Sequence, residues 1–361
     1  MKFLHTADLH LFQNLKHVSY AKSDLVETRQ YEIRQTFYNL LKKAQDEGCD
    51  ALFIVGDLFD HHRVKPLEVE QIFRRLKKSN LEIFIILGNH DQFLFQEAYK
   101  HSLNAENIHL FNENKRSFNL NDTTIHGFNT DDFDLEALKK QSRLLDEDKQ
   151  HILLLHGDVM NSKDDHYLTD VQTLTSLNFD YIALGHIHKH QFLSDHIAYS
   201  GNPEPSDFSE LENKGVIVGQ LEDHALNTEF KATAKRAFIR KDVPITETDS
   251  FDDVVAKIQA AFSEDKKARD FIRVRLTGEK NLEIDIDKEA LITVLKDDFY
   301  YLEIKDETTD ALDLNALKSS YKDTIIESLI KTYETKKKPS SDDLSALKEA
   351  LIALLATEVR R

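Results

Sequence analysis

The stretch Ala51-Leu52-Phe53-Ile54-Val55-Gly56-Asp57 decides the fold. Five apolar residues in a row, aromatic or β-branched toward the end, run directly into a Gly-Asp turn. A short continuous run with no polar alternation, closed by glycine, is the pattern of a strand buried on both faces. The pattern recurs along the first 190 residues. Phe3-Leu4-His5-Thr6-Ala7 leads to Asp8-Leu9-His10, and Ile83 to Leu87 leads to Gly88-Asn89-His90-Asp91. Ile152 to Leu155 leads to His156-Gly157-Asp158, and Tyr181 to Leu184 leads to Gly185-His186-Ile187-His188. Between these runs the period changes. Tyr31, Ile33, Phe37, Leu40, Leu41 and Ala44 follow a helical spacing over 31–47 that ends near Gly48, and Val69, Ile72, Phe73 and Leu76 do the same. Strands inside and helices outside make an α/β fold. The later runs Ile197-Ala198-Tyr199 and Val216-Ile217-Val218 are short and turn-separated, which points to a mixed two-sheet core instead of a purely parallel one.

A chain of 361 residues exceeds one ordinary core, so two or three domains are expected. The strand–glycine rhythm covers 1–230. A basic stretch from Lys231 to Lys241 then marks a change of character. Within 235–305 a helix over 251–262, an alternating strand over 271–276 and a strand–helix–strand mixture over 283–304 read as a small α+β domain. Residues 313–357 read as C-terminal helices. Over 313–333, Leu314, Leu317, Tyr321, Ile325 and Leu329 share one helical face. Pro339 breaks the chain, and Ser341 can cap a last helix carrying Leu344, Leu347, Leu351, Leu354 and Leu355. These apolar faces either pack on their own chain or lie in a partner's groove.

Hydrophobic residues are 40% and charged residues 31%, as in soluble globular chains. No apolar run approaches the roughly 18 residues of a membrane span, and the start does not read as a signal peptide. A single cysteine, Cys49, excludes an internal disulfide and reads as a packing residue, so a cytoplasmic location is expected. A net charge of −17 argues against indiscriminate binding to a polyanion, though bound cations can reverse the field locally. Arg74-Arg75-Leu76-Lys77-Lys78 reads as a solvated helix face. Arg63, Lys65, Lys189 and His190 stand beside the strand-end motifs as candidate phosphate contacts.

The 17 histidines are the informative excess, and many sit where strands end. In an open α/β sheet the strand ends converge on one crevice. One rim would then hold two Asp, one Asn and four or five His, a mixed oxygen and imidazole set suited to Mn, Fe or Zn. That is enough for two ions if one carboxylate is shared, the arrangement that flanks a phosphoryl group. Any one of these motifs alone proves nothing. Five in order, each after an apolar strand, make a purely structural reading hard to credit.

The five blocks resemble the signature of the calcineurin-like metallophosphoesterase family: Asp-X-His, Gly-Asp, Gly-Asn-His-Asp, His and Gly-His-X-His, spanning residues 8 to 188. The resemblance implies a four-layer α/β/β/α sandwich. It also implies that Asp8, His10, Asp57 and His188 hold one metal, that Asp57, Asn89, His156 and His186 hold the other, and that Asp57 bridges. His90 would contact the scissile phosphate and help the leaving oxygen depart, with Asp91 orienting it. Gly56-Asp57-Leu58-Phe59-Asp60, the block Asp180 to His188, the turn Tyr199-Ser200-Gly201-Asn202-Pro203 and Lys214-Gly215-Val216 resemble SbcD/YhaO-type DNA repair exonucleases. That resemblance implies a DNA exonuclease and endonuclease using two divalent ions, Mn²⁺ first and Fe²⁺ or Zn²⁺ next. It also implies a capping domain, an SMC-like (SbcC-type) ATPase as partner and a homodimer. Asp60 departs from relatives that carry His there, leaving open whether Asp60, His61 or His62 assists. The competing readings are a small-molecule phosphodiesterase or phosphoprotein phosphatase, and a catalytically idle scaffold for DNA ends.

Overall fold

The computed structural model describes residues 1–15, 18–20, 24–60, 64–96, 102–281, 287–311, 313–336 and 338–358. The chain divides into two compact units, Met1–Phe238 and Ile239–Arg361. The first unit runs β1 (Lys2–Thr6), α1 (Leu25–Asp46), β2 (Ala51–Val55), α2 (Pro66–Lys77), β3 (Glu82–Ile86), β4 (Ile108–Leu110), β5 (Ser117–Leu120), β6 (Thr123–Phe128), α3 (Leu135–Ser142), β7 (Gln150–His156), α4 (Val171–Thr175), β8 (Tyr181–Gly185), β9 (Gln191–Ser194), β10 (Ile197–Tyr199), β11 (Gly215–Glu222) and β12 (Ala225–Ala232). Two six-stranded sheets result, in the orders β12-β11-β1-β2-β3-β4 and β5-β6-β7-β8-β10-β9. β1 to β4 are parallel to one another, as are β6, β7, β8 and β10, while β11, β12, β5 and β9 pair antiparallel.

Side-chain alternation builds four layers from this. In β2, Leu52 and Ile54 join Ile33, Phe37, Leu40, Val69 and Phe73 beneath α1 and α2. Ala51, Phe53 and Val55 point the other way, into a layer shared with Phe84, Ile152, Leu154 and Tyr181 from both sheets. In β7, Leu153 and Leu155 complete the second outer layer with Leu138 of α3 and Leu174 of α4. The apolar runs of β2, β3, β7 and β8 are thus covered on both faces, which is why they are unbroken. Each fully buried Leu, Ile or Phe side chain contributes roughly 1.5–3 kcal/mol of burial free energy.

Helix α1 begins six residues before the expected 31. Its first turns are polar because Arg29, fully buried, bonds Glu32 Oε2 (2.7 Å), Glu204 Oε1 (2.9 Å) and the Pro205 carbonyl (2.7 Å). A hydrophobic period cannot register burial achieved through charge pairs. The helix stops where expected. Gly48 adopts φ 67°, and the amides of Glu47, Gly48 and Cys49 close onto the Lys43, Gln45 and Ala44 carbonyls. β6 was missed for a similar reason: Thr123, Thr124 and His126 are buried with polar partners, Thr124 Oγ1 on Asn119 Oδ1 (2.8 Å) and His126 Nε2 against His151 Nδ1 (3.1 Å).

The second unit continues from β13 (Phe238–Ile245) through α5 (Phe251–Ala260), α6 (Glu264–Arg269), β14 (Phe271–Asn281), α7 (Lys288–Leu295), β15 (Tyr301–Asp306) and β16 (Thr309–Ala311). Its sheet has the order β13-β14-β15, with β16 also on β14. The strand expected at the start of 283–304 falls on residues 283–286, outside the described residues. Three helices follow: α8 (Leu314–Ser320), α9 (Ile325–Glu334) and α10 (Ser341–Glu358). The single helix expected over 313–333 is therefore two. Asp323 takes φ 65°, the Glu327 side chain accepts from the Asp323 amide (2.8 Å), and the Thr324 hydroxyl turns back to the Tyr321 carbonyl (2.6 Å). The break rotates the face. Ile326 and Ile330 are buried, whereas Ile325 is 63% exposed. They meet Leu347 and Leu351 of α10, so this apolar face packs within its own chain. The cap of α10 is Ser340, whose hydroxyl accepts from the Asp343 amide (3.2 Å) while Asp343 accepts from the Ser340 amide (3.0 Å), and not the expected Ser341. Among the described residues no helix is long and apolar enough to cross a membrane.

Candidate metal centre

The C-terminal ends of five parallel strands converge. Asp8 and His10 follow β1, Asp57 follows β2, Asn89 and His90 follow β3, His156 closes β7, and His186 and His188 follow β8. Side chains from both sheets thereby meet at one end of the sandwich. The turns are interlocked. The Asp8 and His10 amides donate to the Gly56 and Asp57 carbonyls (3.1 and 3.0 Å), and the His186 amide donates to the Asp8 carboxylate (3.0 and 3.1 Å). Asp8, His10, Asp57 and His186 have φ of 54°, 43°, 51° and 99°. Such left-handed backbone is uncommon outside glycine and concentrates where function demands it.

The imidazoles and carboxylates form three clusters in which one donor atom per residue lies within 4.8 Å of the others: Asp8, His10 and His188; Asp8, Asp57 and His156; and His10, Asp60 and His90. Each could hold a metal ion. His156 Nε2 is 3.4 Å from Asp57 Oδ2, too long for a good hydrogen bond, and Nδ1 donates to the Val55 carbonyl (2.9 Å). That bond fixes the ring and aims Nε2 into the cluster. His10 Nε2 and His188 Nε2 face each other at 3.2 Å, and His10 Nε2 is 3.7 Å from Asp57 Oδ2. Among the described residues, His156 Nε2 and Asn89 Oδ1 are buried with no hydrogen-bond partner. Buried polar atoms without partners are costly, and a cation satisfies both. The glycines of the motifs make the room. A methyl group on Gly88 would lie 2.1 Å from Asp57 Oδ1 and 2.7 Å from His156 Nε2, and one on Gly185 would lie 2.7 Å from His156 Nδ1. On these grounds the residues fit a divalent metal.

The electrostatics agree. Burial disfavours a charge on His156, yet Asp57, Asp8 and the Val55 carbonyl together push its pKa up to about 9. A field that favours a proton at Nε2 favours a metal cation there too. Burial also opposes ionisation of Asp57, but His156, His10 and the His90 amide hold its carboxyl well below the usual range. For Asp91, burial and the neighbouring Asp57 charge push the carboxyl well above that range, against His156 and two amides.

The residues expected to do chemistry sit as follows. His90 is exposed in the cleft, with Nδ1 on the Asp60 carbonyl (2.5 Å). Asp91 is fully buried and accepts from the amides of Leu58 (2.7 Å) and Gly88 (2.8 Å), tying the β2 and β3 turns together. The orienting contact of the His90 ring is thus made by Asp60, and Asp91 fixes the backbone on either side of it. His186 Nε2 lies 3.3 Å from Asp164 Oδ1, with its ring edge-on to His156 and His166. His190 stacks on Phe230 at 4.0 Å. His61, His62 and Arg63 lie outside the described residues.

The cleft holds about 300 Å³ and is also lined by Gln13, Asn202, Glu204 and Ser206. Sequence reasoning reached only the turn at Asn202. It missed Glu210, whose Oε1 accepts from His188 Nδ1 (2.5 Å) and Asn202 Nδ2 (3.0 Å), and whose Oε2 accepts from the Ser206 amide (2.6 Å) and hydroxyl (3.1 Å). Lys214 Nζ, itself buried, donates to the His188 carbonyl (2.8 Å). Burial opposes the Glu210 charge, but the His188 bond lowers its pKa to about 2. Nothing periodic marks Glu210 in its acidic stretch, so the sequence carried no signal for it.

Residues 1–190 match the model of the calcineurin-like phosphoesterase family, and the chain belongs to that family. It is similar to the uncharacterized metallophosphoesterase YhaO of Bacillus subtilis, 26% identical over 294 residues, 76% of this chain and 71% of that protein. The DNA double-strand break repair protein Mre11 of Methanocaldococcus jannaschii is 28% identical over 282 residues, covering 72% of this chain and 73% of that protein. The SbcD component of the nuclease SbcCD of Escherichia coli is 28% identical over 259 residues, covering 58% of this chain and 62% of that protein.

Proposed function

We propose that this phosphoesterase is a two-metal DNA exonuclease and endonuclease. Asp8, His10, Asp57 and His188 would hold one ion, and Asp57, Asn89, His156 and His186 the other, with Mn²⁺ as the first choice of metal. The observation that carries the reading is the pair of partnerless buried atoms, His156 Nε2 and Asn89 Oδ1, beside Asp8, His10, Asp57, His186 and His188, which with Asn89 line the cleft. When bound, a divalent pair offsets the charge of a phosphoryl group and makes water acidic enough to attack near neutral pH. The rest is the chain's own work. Asp57 faces both His10 and His156 and would be the carboxylate shared between the two ions. His90 lines the cleft with Nδ1–H on the Asp60 carbonyl, and in its imidazolium form the second proton, on Nε2, would pass to the leaving oxygen. Asp91 holds the β2 and β3 turns, and so the Asp57 and His90 backbones, in register.

DNA as substrate is supported by one relative named a DNA double-strand break repair protein and another named a nuclease subunit, and by a cleft open to solvent. Repair, in complex with an SMC-like ATPase, is the biological setting this reading implies. The apolar faces of α9 and α10 are spent on each other, so an ATPase would dock on the outer surface of these helices, where Ile325 is exposed. The test is digestion of labelled linear DNA with Mn²⁺, beside hydrolysis of bis(p-nitrophenyl) phosphate. Activity on the small ester with none on DNA refutes the nuclease reading. The His90→Ala variant should lose turnover on both while binding metal as before.

A further inference from the structure

We propose that the surface between α1 and α2 is a phosphate track that carries duplex DNA away from the metal cleft, gripping its backbone and not its bases. This rests on the nuclease reading above. Two shallow grooves lie on that surface, of about 430 and 450 Å³. The first contains Phe12, Gln30, Arg34 and Lys65, the second Tyr38, Arg75 and Lys78, and Gln71 lines both. The first lies beside the metal cleft: Phe12 of the groove is followed in the chain by Gln13 of the cleft, and Gln30 Nε2 donates to the Gln13 carbonyl (3.0 Å).

Charge gives the track its occupant. The chain carries −17 overall, yet Arg34, Lys65, Arg75 and Lys78 make no ion pair among the described residues. Two acids stand nearby: Glu68, which lines the first groove and accepts from the Lys65 amide (2.8 Å), and Glu70, which holds Arg74 (2.6 Å). Both guanidiniums of this set are propped on aromatic rings, Arg34 over Phe12 at 5.5 Å and Arg75 over Tyr38 at 4.9 Å. Stacking fixes the plane of the guanidinium and leaves its N–H edges for a phosphate. The bland account is that cations in the last turn of α2 answer the helix dipole. It covers Arg75, but not Lys65 at the other end of that helix or Arg34 within α1. From Lys65 to Lys78 the helix rises about 20 Å, the span of roughly six phosphates on one strand of a duplex.

The test uses the full-length chain with R75E/K78E, both exposed, and the milder R75Q/K78Q. Cleavage of a long DNA duplex is measured against hydrolysis of bis(p-nitrophenyl) phosphate, over a series of salt concentrations. The charge-reversed variant should lose at least about tenfold in kcat/KM on the duplex at low salt and keep its activity on the small ester. Its log–log salt slope should flatten by about 2, one for each phosphate contact removed. R75Q/K78Q should fall between it and the unaltered protein. Unchanged cleavage of the duplex overturns the track while leaving the nuclease reading intact. Equal loss on both substrates also overturns it, since the damage then lies in the metal site. If the unaltered protein cleaves only the small ester, the nuclease reading fails and the track falls with it.

Discussion

Replacing Glu210 by Gln should weaken metal binding by about 10- to 100-fold, or roughly 1.4–2.7 kcal/mol. The size follows from the geometry around His188. Glu210 accepts four hydrogen bonds, two on each oxygen, and the bond from His188 Nδ1 leaves Nε2 directed at His10. Glutamine keeps the shape but turns one acceptor into a donor. If its NH₂ faces His188, two donors meet; if it faces Ser206, the buried loop loses its anchor. In either orientation the negative charge that makes His188 electron-rich is gone. Calorimetric titration with Mn²⁺ and with Zn²⁺ reads the effect, with circular dichroism to show that the fold persists. Because Glu210 acts through His188, raising the metal concentration should restore much of the activity. Glu210→Asp, which keeps the charge, should bind metal better than Glu210→Gln. Glu210→Gln binding both ions as tightly as the unaltered chain would refute the reasoning.

Three further outcomes follow from the packing and the buried charges. Gly88→Ala should abolish metal binding in a folded protein, because its methyl group would overlap Asp57 Oδ1 at 2.1 Å; a folded variant that still binds metal in titration contradicts this. Acid should destabilise the first unit between pH 6.5 and 5. Burial lowers His5 and His126 from 6.5 to about 3, so the unfolded chain takes up protons in that window and the folded one does not. At about 1.4 kcal/mol per pH unit for each site, these two histidines contribute a loss of roughly 4 kcal/mol by pH 5, and His126→Gln should reduce the slope in urea titrations by one proton. His156, pushed up to about 9, contributes stability fully present below 6.5 and so does not offset that slope. Finally, Ile330→Ala should cost about 2–4 kcal/mol in the C-terminal helices, read as faster amide exchange in α9 and α10 with unchanged rates in β14 and β15.

The sheet and the strand-end motifs were legible because burial on both faces writes unbroken apolar runs, and because the chemistry needs side chains directly after them. Asp8, Asp57, His156 and His188 could be placed at one rim from spacing alone. What stayed hidden was held by polar contacts. The first turns of α1 rest on Arg29, β6 on a chain of Thr, His and Gln contacts, and His188 on Glu210. A polar residue buried with a distant partner looks, in sequence, like any surface residue. The break between α8 and α9 was missed for another reason. The apolar spacing persists across 321–324, while the signal for the break lies in Asp323 and Thr324, which prefer turns.

The proposed centre draws Asp8, Asp57 and Asn89 from one sheet and His156, His186 and His188 from the other, so it is a seam between two halves of the sandwich. An ion seated there would be a rivet through both leaves. It would bind only when the leaves are pressed together, and by mass action its affinity would hold the sheet of β1 to β4, β11 and β12 against the sheet of β5 to β10. Stripping the ions with a chelator should therefore let the two leaves breathe separately, and the proteolytic resistance of the whole sandwich becomes a gauge of how full the centre is.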